Sequence, residues 1–356
     1  MGQEGLPQQD LAIPWPDGFR VTVALPSTAA QTGDSMKIPG ISDARTRRAR
    51  AKARIERIRP SSYTMGAVMA QPVETIQNVV VIGAGIMGRG IALASARGGY
   101  NTAVIESDPA SLQSARAEIE KILDRAREKG EMDEPAARAA RERLTYAAGF
   151  DAAKGADLAI EAVPESVAIK AAVYQELASR MAPHGVIATN TSSLSITELA
   201  ATSDRPTRFL GMHFFNPVHR MRLVELVRGL ETTDPTLAIG EQASKAMGKE
   251  TVLVRESPGF VTSRINVLIG NEAFTMLESG VASARDIDKA LKLGLNHPMG
   301  PFELVDLVGL DTRLSILEYL HRTLGDKYRP SPLLIQYVKA GRLGRKVGRG
   351  VYEYPS

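Results

Sequence analysis

The sequence predicts an α/β fold, a doubly wound parallel sheet followed by an all-helical C-terminal part, and three observations carry that expectation. An apolar strand runs straight into a glycine-rich turn and a helix near residue 80. Strand and helix patterns then alternate to about residue 255, as crossover-connected parallel strands require. Beyond residue 256 the apolar period becomes helical throughout. The expected divisions are 1–74 as an extension, 75–255 as the sheet domain and 256–356 as the helical domain.

Order begins within "VETIQNVVVIGAGIMGRGIALASARGGYNTAVIESD". Val79 to Ile82 form an apolar run suited to a strand buried on both faces. Gly83, Gly85 and Gly88 follow in G-x-G-x-x-G spacing, then a helical pattern ending near Gly98-Gly99, then a second strand from Thr102 to Ile105 closing on Glu106. A lone glycine triplet can serve mere packing. Strand before, helix after, a second strand and an acid eighteen residues past the last glycine together make the Rossmann-type dinucleotide fingerprint. Without side chains the backbone can approach a pyrophosphate, whose charge is stabilised by free N–H groups at the helix N-terminus. Glu106 would accept from the adenosine ribose hydroxyls and repel a 2′-phosphate, which favours NAD over NADP.

Downstream, "GADLAIEAVPESVAIKAAVYQELASRM" reads as a strand from Leu158 to Val163, a loop with Pro164 and Glu165, and a helix from about Ser166. "GVIATNTSSLSITELA" is a strand, a polar turn and another helix. Ligands in such sheets sit beyond the strand C-termini, where Glu165 and the turn of residues 190–193 would lie. In the helical part, Ile265, Leu268, Ile269, Ala273, Met276 and Leu277 share helical spacing up to Gly280, and Ser283 with Asp286 has the spacing of a capping box. A further helical region is expected from Phe302 to Leu320.

Composition narrows the chemistry. The chain of 356 residues has no cysteine, which excludes disulfides, thiolate metal sites and a cysteine nucleophile. It contains no apolar run long enough for a membrane helix and no signal-peptide pattern, so a cytoplasmic setting is expected. Of the formal charge of +4, a cluster from Arg45 to Arg59 carries +7 and the remainder −3. No aromatic residue stands within that cluster to stack on bases, so a solvated arm is expected rather than a nucleic-acid site. Residues 1–44 hold five acids against two bases, unlike a mitochondrial presequence. The first 68 residues are expected to be a disordered arm or an upstream start ahead of Met69.

In "GMHFFNPVHRMRLVE" a histidine, His213, stands inside an apolar strand, and Glu225 ends the next. Residue by residue this favours a satisfied core histidine and a solvated edge glutamate over chemistry, since a histidine inside an apolar strand is commonplace. The surrounding motifs decide. "GAGIMG", "NTSSL", "GMHFFNPV", "LVELV", "SPGFVTSRI", "KLGLNHPMGPFELVDLVGLDT" and "GRKVGRGVYEY", in that order over roughly residues 75–355, resemble the L-3-hydroxyacyl-CoA dehydrogenase family, particularly its short bacterial 3-hydroxybutyryl-CoA members.

The resemblance implies NAD-dependent oxidation of an L-3-hydroxyacyl-CoA to the 3-ketoacyl-CoA, or the reverse. It makes His213 the base that removes the hydroxyl proton and Glu225 the acceptor that fixes its tautomer. It implies a cofactor cradle at Gly83, Gly85, Ile86, Met87 and Gly88, with Glu106, Glu165, Lys170, Ser192, Asn216 and Lys346 also on NAD. Ser192 would bind the substrate oxygen and Lys129 the CoA phosphates. His297 is the reserve base; His184, His219 and His321 are expected in loops, turns or helix ends. One departure is Ser263, in "PGFVTSR", where the family often has an active-site asparagine; Asn266 lies one helical turn on. A homodimer through the helical domain, no metal and no membrane are expected. The rivals are a relative acting on a non-CoA 3-hydroxy substrate such as gulonate or carnitine, and an NAD-binding relative that has lost catalysis.

Overall fold

A computed structural model describes residues 75–355; the basic cluster and the rest of the N-terminal extension lie outside the described residues. The sheet starts with β1 (Asn78–Ile82) and its crossover helix α1 (Ile86–Arg97), then β2 (Asn101–Ile105). Two helices, α2 (Pro109–Glu128) and α3 (Glu134–Glu142), form an arm before β3 (Leu144–Ala147). Asp108 and Asp133 cap their N-termini with side-chain carboxylates, each followed closely by proline. The second half brings β4 (Leu158–Glu161), α4 (Val167–Ala178), β5 (Val186–Thr189), α5 (Ile196–Ala201) and β6 (Phe209–Phe214). It ends with β7 (Leu223–Arg228), α6 (Asp234–Ala246) and β8 (Glu250–Arg255).

These strands form one eight-stranded sheet in the order β3-β2-β1-β4-β5-β6-β7-β8. All neighbours are parallel except β6 and β7. The expectation of a parallel sheet is therefore corrected at one edge. Residues 215–222 contain no crossover helix, and without one the chain can only double back. The reversal sets His213 directly across from Glu225 in register, so both side chains emerge on one face. Apolar residues cover both faces of the sheet: Val79, Val81, Leu158 and Met212 on one side, Val80, Ile82, Ile187 and Phe209 on the other.

After the sheet come α7 (Thr262–Glu278), α8 (Ala284–Gly294), α9 (Pro301–Val308), α10 (Leu310–Leu324) and α11 (Pro332–Lys339). Their core gathers Phe274, Phe302, Leu310, Leu317, Leu320 and Tyr328. The single helical region expected over 302–320 is broken at Gly309, whose φ of +107° stops α9 and starts α10. The tail folds back onto this bundle. Buried Asp306 accepts from the Val351 and Tyr352 amides at 2.8 and 2.9 Å and from the Tyr354 hydroxyl at 2.9 Å. Asp288 likewise accepts from the Phe302 amide and the Tyr352 hydroxyl, both at 2.8 Å. Among the described residues no helix is long and apolar enough to cross a membrane.

Candidate active site

The glycine-rich turn has the shape a dinucleotide needs. A Cβ on Gly83 would fall 2.7 Å from the Ala162 carbonyl and one on Gly88 1.8 Å from the Gly83 carbonyl, whereas one on Gly85 would meet nothing within 4 Å. Two glycines thus serve close packing, and the third keeps open the space in front of the helix. No side chain caps α1, so its first-turn N–H groups are left for an anion. Glu106, just past β2, accepts from the Ala84 amide of this turn at 3.1 Å and from the Asp108 amide at 3.1 Å. Those residues fit NAD.

At the C-terminal ends of β1, β4, β5 and β6 lies a cavity of about 560 Å³, lined by Met87, Ala162, Glu165, residues 190–193, His213 and Phe214 from the sheet side. Asp311, Thr312, Ser315 and Ile316 of α10 close it from the helical side. Glu165 anchors the polar turn, accepting from the Thr191 hydroxyl and from the Ser192 amide at 3.2 Å. Asn190 accepts from the Phe214 amide at 3.0 Å, which ties that turn to the strand bearing His213.

His213 is buried but for a 7% sliver and Glu225 completely. Their Nδ1 and Oε2 atoms are 2.7 Å apart. Glu225 also receives the Val261 and Thr262 amides at 3.2 and 2.9 Å and the Thr262 hydroxyl at 3.1 Å. Burial by itself would raise the Glu225 pKa; the His213 and Thr262 hydrogen bonds outweigh it and hold the carboxyl below its ordinary value. An ionised carboxylate can only accept, so Nδ1 carries the proton. Nε2, which has no partner among the described residues, keeps its lone pair toward the cavity. Phe215 and Phe260 flank the imidazole at 4.4 and 5.8 Å between ring centroids. Phe260 has φ +50°, a costly conformation for a bulky residue. It aims the next two amides at Glu225, which thereby caps α7 from another strand.

The remaining expected positions divide. Ser192 lines the cavity. Glu225 stands within β7 rather than at its end, because β7 continues apolar to Arg228. Lys170, expected on the cofactor, has no exposed surface, and its ammonium lies 2.7 Å from Glu161 and 3.4 Å from Glu165. It supports the cavity from behind. Lys346 meets Asp311 at 2.6 Å, reaching the cavity rim through that partner. Asn216 is exposed, one residue past the Phe215 ring, and precedes a cis proline. Ser263, half-buried in the first turn of α7, and exposed Lys129, at the end of α2, do not line this cavity. Asn266 and His297 line a different, apolar pocket beside α7. His184 pairs with Asp157 at 2.9 Å and His321 with Asp326 at 3.0 Å. Sequence reasoning missed Thr262 and the α10 residues. Nothing local marks them, because they are brought in by the Phe260 turn and the Gly309 break. Among the described residues no cluster of potential metal ligands occurs.

A glycine-rich dinucleotide turn, a cleft closed by helices and a carboxylate-oriented imidazole define an NAD-binding oxidoreductase of the α/β class. Models of the two domains of one such group match nearly all the described chain: the 3-hydroxyacyl-CoA dehydrogenase NAD binding domain over residues 78–257 and the C-terminal domain over 259–354. The chain belongs to the 3-hydroxyacyl-CoA dehydrogenase family. It is 45% identical over 280 residues to a probable 3-hydroxybutyryl-CoA dehydrogenase of Bacillus subtilis, covering 78% of this chain and 98% of that protein. A 3-hydroxybutyryl-CoA dehydrogenase of Bradyrhizobium diazoefficiens is 44% identical over 78% and 96%. The crystal structure of (S)-3-hydroxybutyryl-CoA dehydrogenase from Ralstonia eutropha superposes with a TM-score of 0.77 at 44% identity, over 79% of this chain and all of that one.

Proposed function

We propose that this protein interconverts a short-chain L-3-hydroxyacyl-CoA, 3-hydroxybutyryl-CoA first among them, with the 3-ketoacyl-CoA, using NAD. The observation that carries the reading is the His213–Glu225 pair, with one ring nitrogen committed to a buried carboxylate and the other open to the cavity. In the oxidising direction Nε2 takes the hydroxyl proton as the O–H bond breaks and the carbonyl forms. Glu225 stabilises the resulting imidazolium. NAD, when bound on the glycine turn, supplies the acceptor for the hydride leaving the same carbon.

Ser192, at the cavity wall, donates to the substrate oxygen, and Asn190 holds its turn at the distance set by β6. Glu165 binds and orients at the nicotinamide end, kept in place by Lys170. Lys346 and Asn216 complete the cofactor's surroundings, and Ser263 borders the Glu225 end of the helix. We assign the sheet part, 75–255, to the cofactor and the helical part, 256–356, to closing the cleft. The setting proposed is a cytoplasmic homodimer serving β-oxidation-type fatty acid metabolism. Resemblance supports these last attributions.

The test is NADH absorbance as purified protein meets acetoacetyl-CoA, followed by longer and carboxylated 3-ketoacyl-CoAs. Consumption of NADH with the four-carbon thioester is the expected result. Silence across the series with NADH binding intact overturns the thioester reading in favour of a non-CoA substrate or an inactive relative.

A further inference from the structure

The two oxygens of the carboxylate behind the base are held differently. Oε1 of Glu225 accepts from the Val261 and Thr262 amides at 3.2 and 2.9 Å, both backbone donors at the N-terminus of α7. Oε2 accepts from His213 Nδ1 at 2.7 Å and from the Thr262 hydroxyl at 3.1 Å. Thr262 is thus the residue that bonds both oxygens. Its hydroxyl is also the one donor on Glu225, apart from the imidazole itself, that a side-chain substitution can remove.

An ionised carboxylate cannot donate, so the Thr262 hydroxyl proton points at Oε2, where it competes with the Nδ1 proton. Two donors on one oxygen divide its charge. The more of that charge the hydroxyl takes, the less Oε2 stabilises a positive imidazole and the more readily Nε2 stays unprotonated. Elements packed around the pair bring other charges, each committed elsewhere. Val252 of β8 stands opposite Glu225, and along β7 Arg222 pairs with Glu250 and Arg228 with Asp234. Arg264 of α7 donates to the Tyr328 hydroxyl at 2.8 Å and to Ser257 at 3.0 Å. In the cavity Glu165 faces Lys170 and Asp311 faces Lys346. His297 is the one titratable side chain lining the apolar pocket to which Thr262 also belongs.

We propose that Thr262 is a positioning residue for the base: its hydroxyl, by sharing Oε2 with His213 Nδ1, extends toward lower pH the range in which Nε2 can take the substrate's hydroxyl proton. This rests on the dehydrogenase reading above. The carboxylate belongs to β7 and the hydroxyl to α7, so the helical part sets the strength of a base that the sheet carries. The sign follows from the sharing. Without the hydroxyl, Oε2 gives more of its charge to the Nδ1 proton and the imidazolium is stabilised. A higher pH is then needed to free Nε2 of its proton. The two α7 amides stay on Oε1, and with the imidazole they keep the carboxyl ionised against its burial.

The test compares wild type with Thr262→Val, which keeps the side-chain shape and both amides and removes only the hydroxyl, and with Thr262→Ser, which returns it. kcat/KM for oxidation of 3-hydroxybutyryl-CoA is followed against pH at saturating NAD. In the enzyme without substrate, the His213 ring signals, assigned by their loss in His213→Ala, are titrated by NMR. The expected result for Thr262→Val is that the acid limb of the profile and the His213 titration both move up by about half a pH unit, the worth of one hydrogen bond, while kcat on the plateau is unchanged. Thr262→Ser restores both midpoints. Either midpoint unmoved overturns the proposal, as does a fall in plateau kcat without a shift, which is what a packing role alone gives. The same shift in Thr262→Ser, or in His297→Gln, overturns it too, by assigning the effect to the methyl group or to the neighbouring imidazole. Should the valine variant not fold, Thr262→Ala is measured in the same way. If wild type turns over no acyl-CoA thioester, the dehydrogenase reading fails instead. The His213 titration then decides alone, a raised midpoint in Thr262→Val supporting the role of the hydroxyl and an unmoved one overturning it.

Discussion

Two buried ionic clusters lie within one sheet and end differently. Around Glu161, every oxygen is spoken for: Lys170 at 2.7 Å, the Tyr174 and Thr189 hydroxyls at 2.8 Å each, and the Val163 amide at 2.8 Å. All four side chains are fully buried. Around Glu225 the donors are as many, but one of them is an imidazole with a second nitrogen to spare, facing a cavity. A closed network stabilises one packing and offers nothing to a ligand. An open one has a proton it can give or take. What separates structural from chemical ionic groups here is an unspent valence at the edge of the solvent.

The largest expected effect tests the open end. His213→Ala should lower kcat for acetoacetyl-CoA reduction about 10² to 10⁴-fold with NADH affinity retained by fluorescence titration; unaltered turnover removes His213 from the chemistry. At the closed end, Lys170→Met leaves the Glu161 carboxylate buried without its cation. Denaturant unfolding should show a loss of about 3–5 kcal/mol. A loss below about 1 kcal/mol would mean the network does not depend on its charge. Intermediate in kind is Glu225→Gln, which keeps shape and removes the charge. The folded pKa of Glu225 is lowered, so its share of stability is full above the unfolded carboxyl value of about 4.3 and is lost as pH falls through the lower folded value. The variant should therefore lose that acid-side dependence in thermal melts as pH falls below about 4.3, and its kcat should drop at least about tenfold. Identical melting profiles would break the comparison. Smallest is Glu106→Gln, expected to erode the ratio of NAD to NADP kcat/KM by about tenfold; equal use of both cofactors by wild type would refute the role of Glu106.

The order of elements in the sheet half was legible because each step is local: an apolar run, a glycine turn, a helix, an acid at fixed spacing. His213 and Glu225 could be named from motifs, yet the reason they meet was not in either strand. It lies in the length of residues 215–222, too short for a crossover, which forces β7 to return and fixes the register. Lys170 shows the opposite case. Its helical spacing looks the same whether it faces solvent or Glu161, and only the packed sheet sets its ammonium against that carboxylate. Thr262 and Asp311 carry no signal of their own, since tertiary turns bring them in. The helical half was legible in period, but the Gly309 break was not, because a lone glycine in an apolar helix is compatible with continuation.

The folded-back tail sets an order of events during synthesis. Asp306 and Asp288 are buried in the helical bundle and take hydrogen bonds from residues 351–354. Until those residues leave the ribosome Asp306 lacks its three tail donors, and Asp288 keeps the Phe302 and Glu303 amides but lacks the Tyr352 hydroxyl, at about 1–3 kcal/mol for a buried group left unmatched. The sheet half can close as it emerges, but the helices that wall the cleft must wait for residues 351–354. A nascent chain arrested before residues 351–354 emerge would bind dinucleotide before it owned a complete active site.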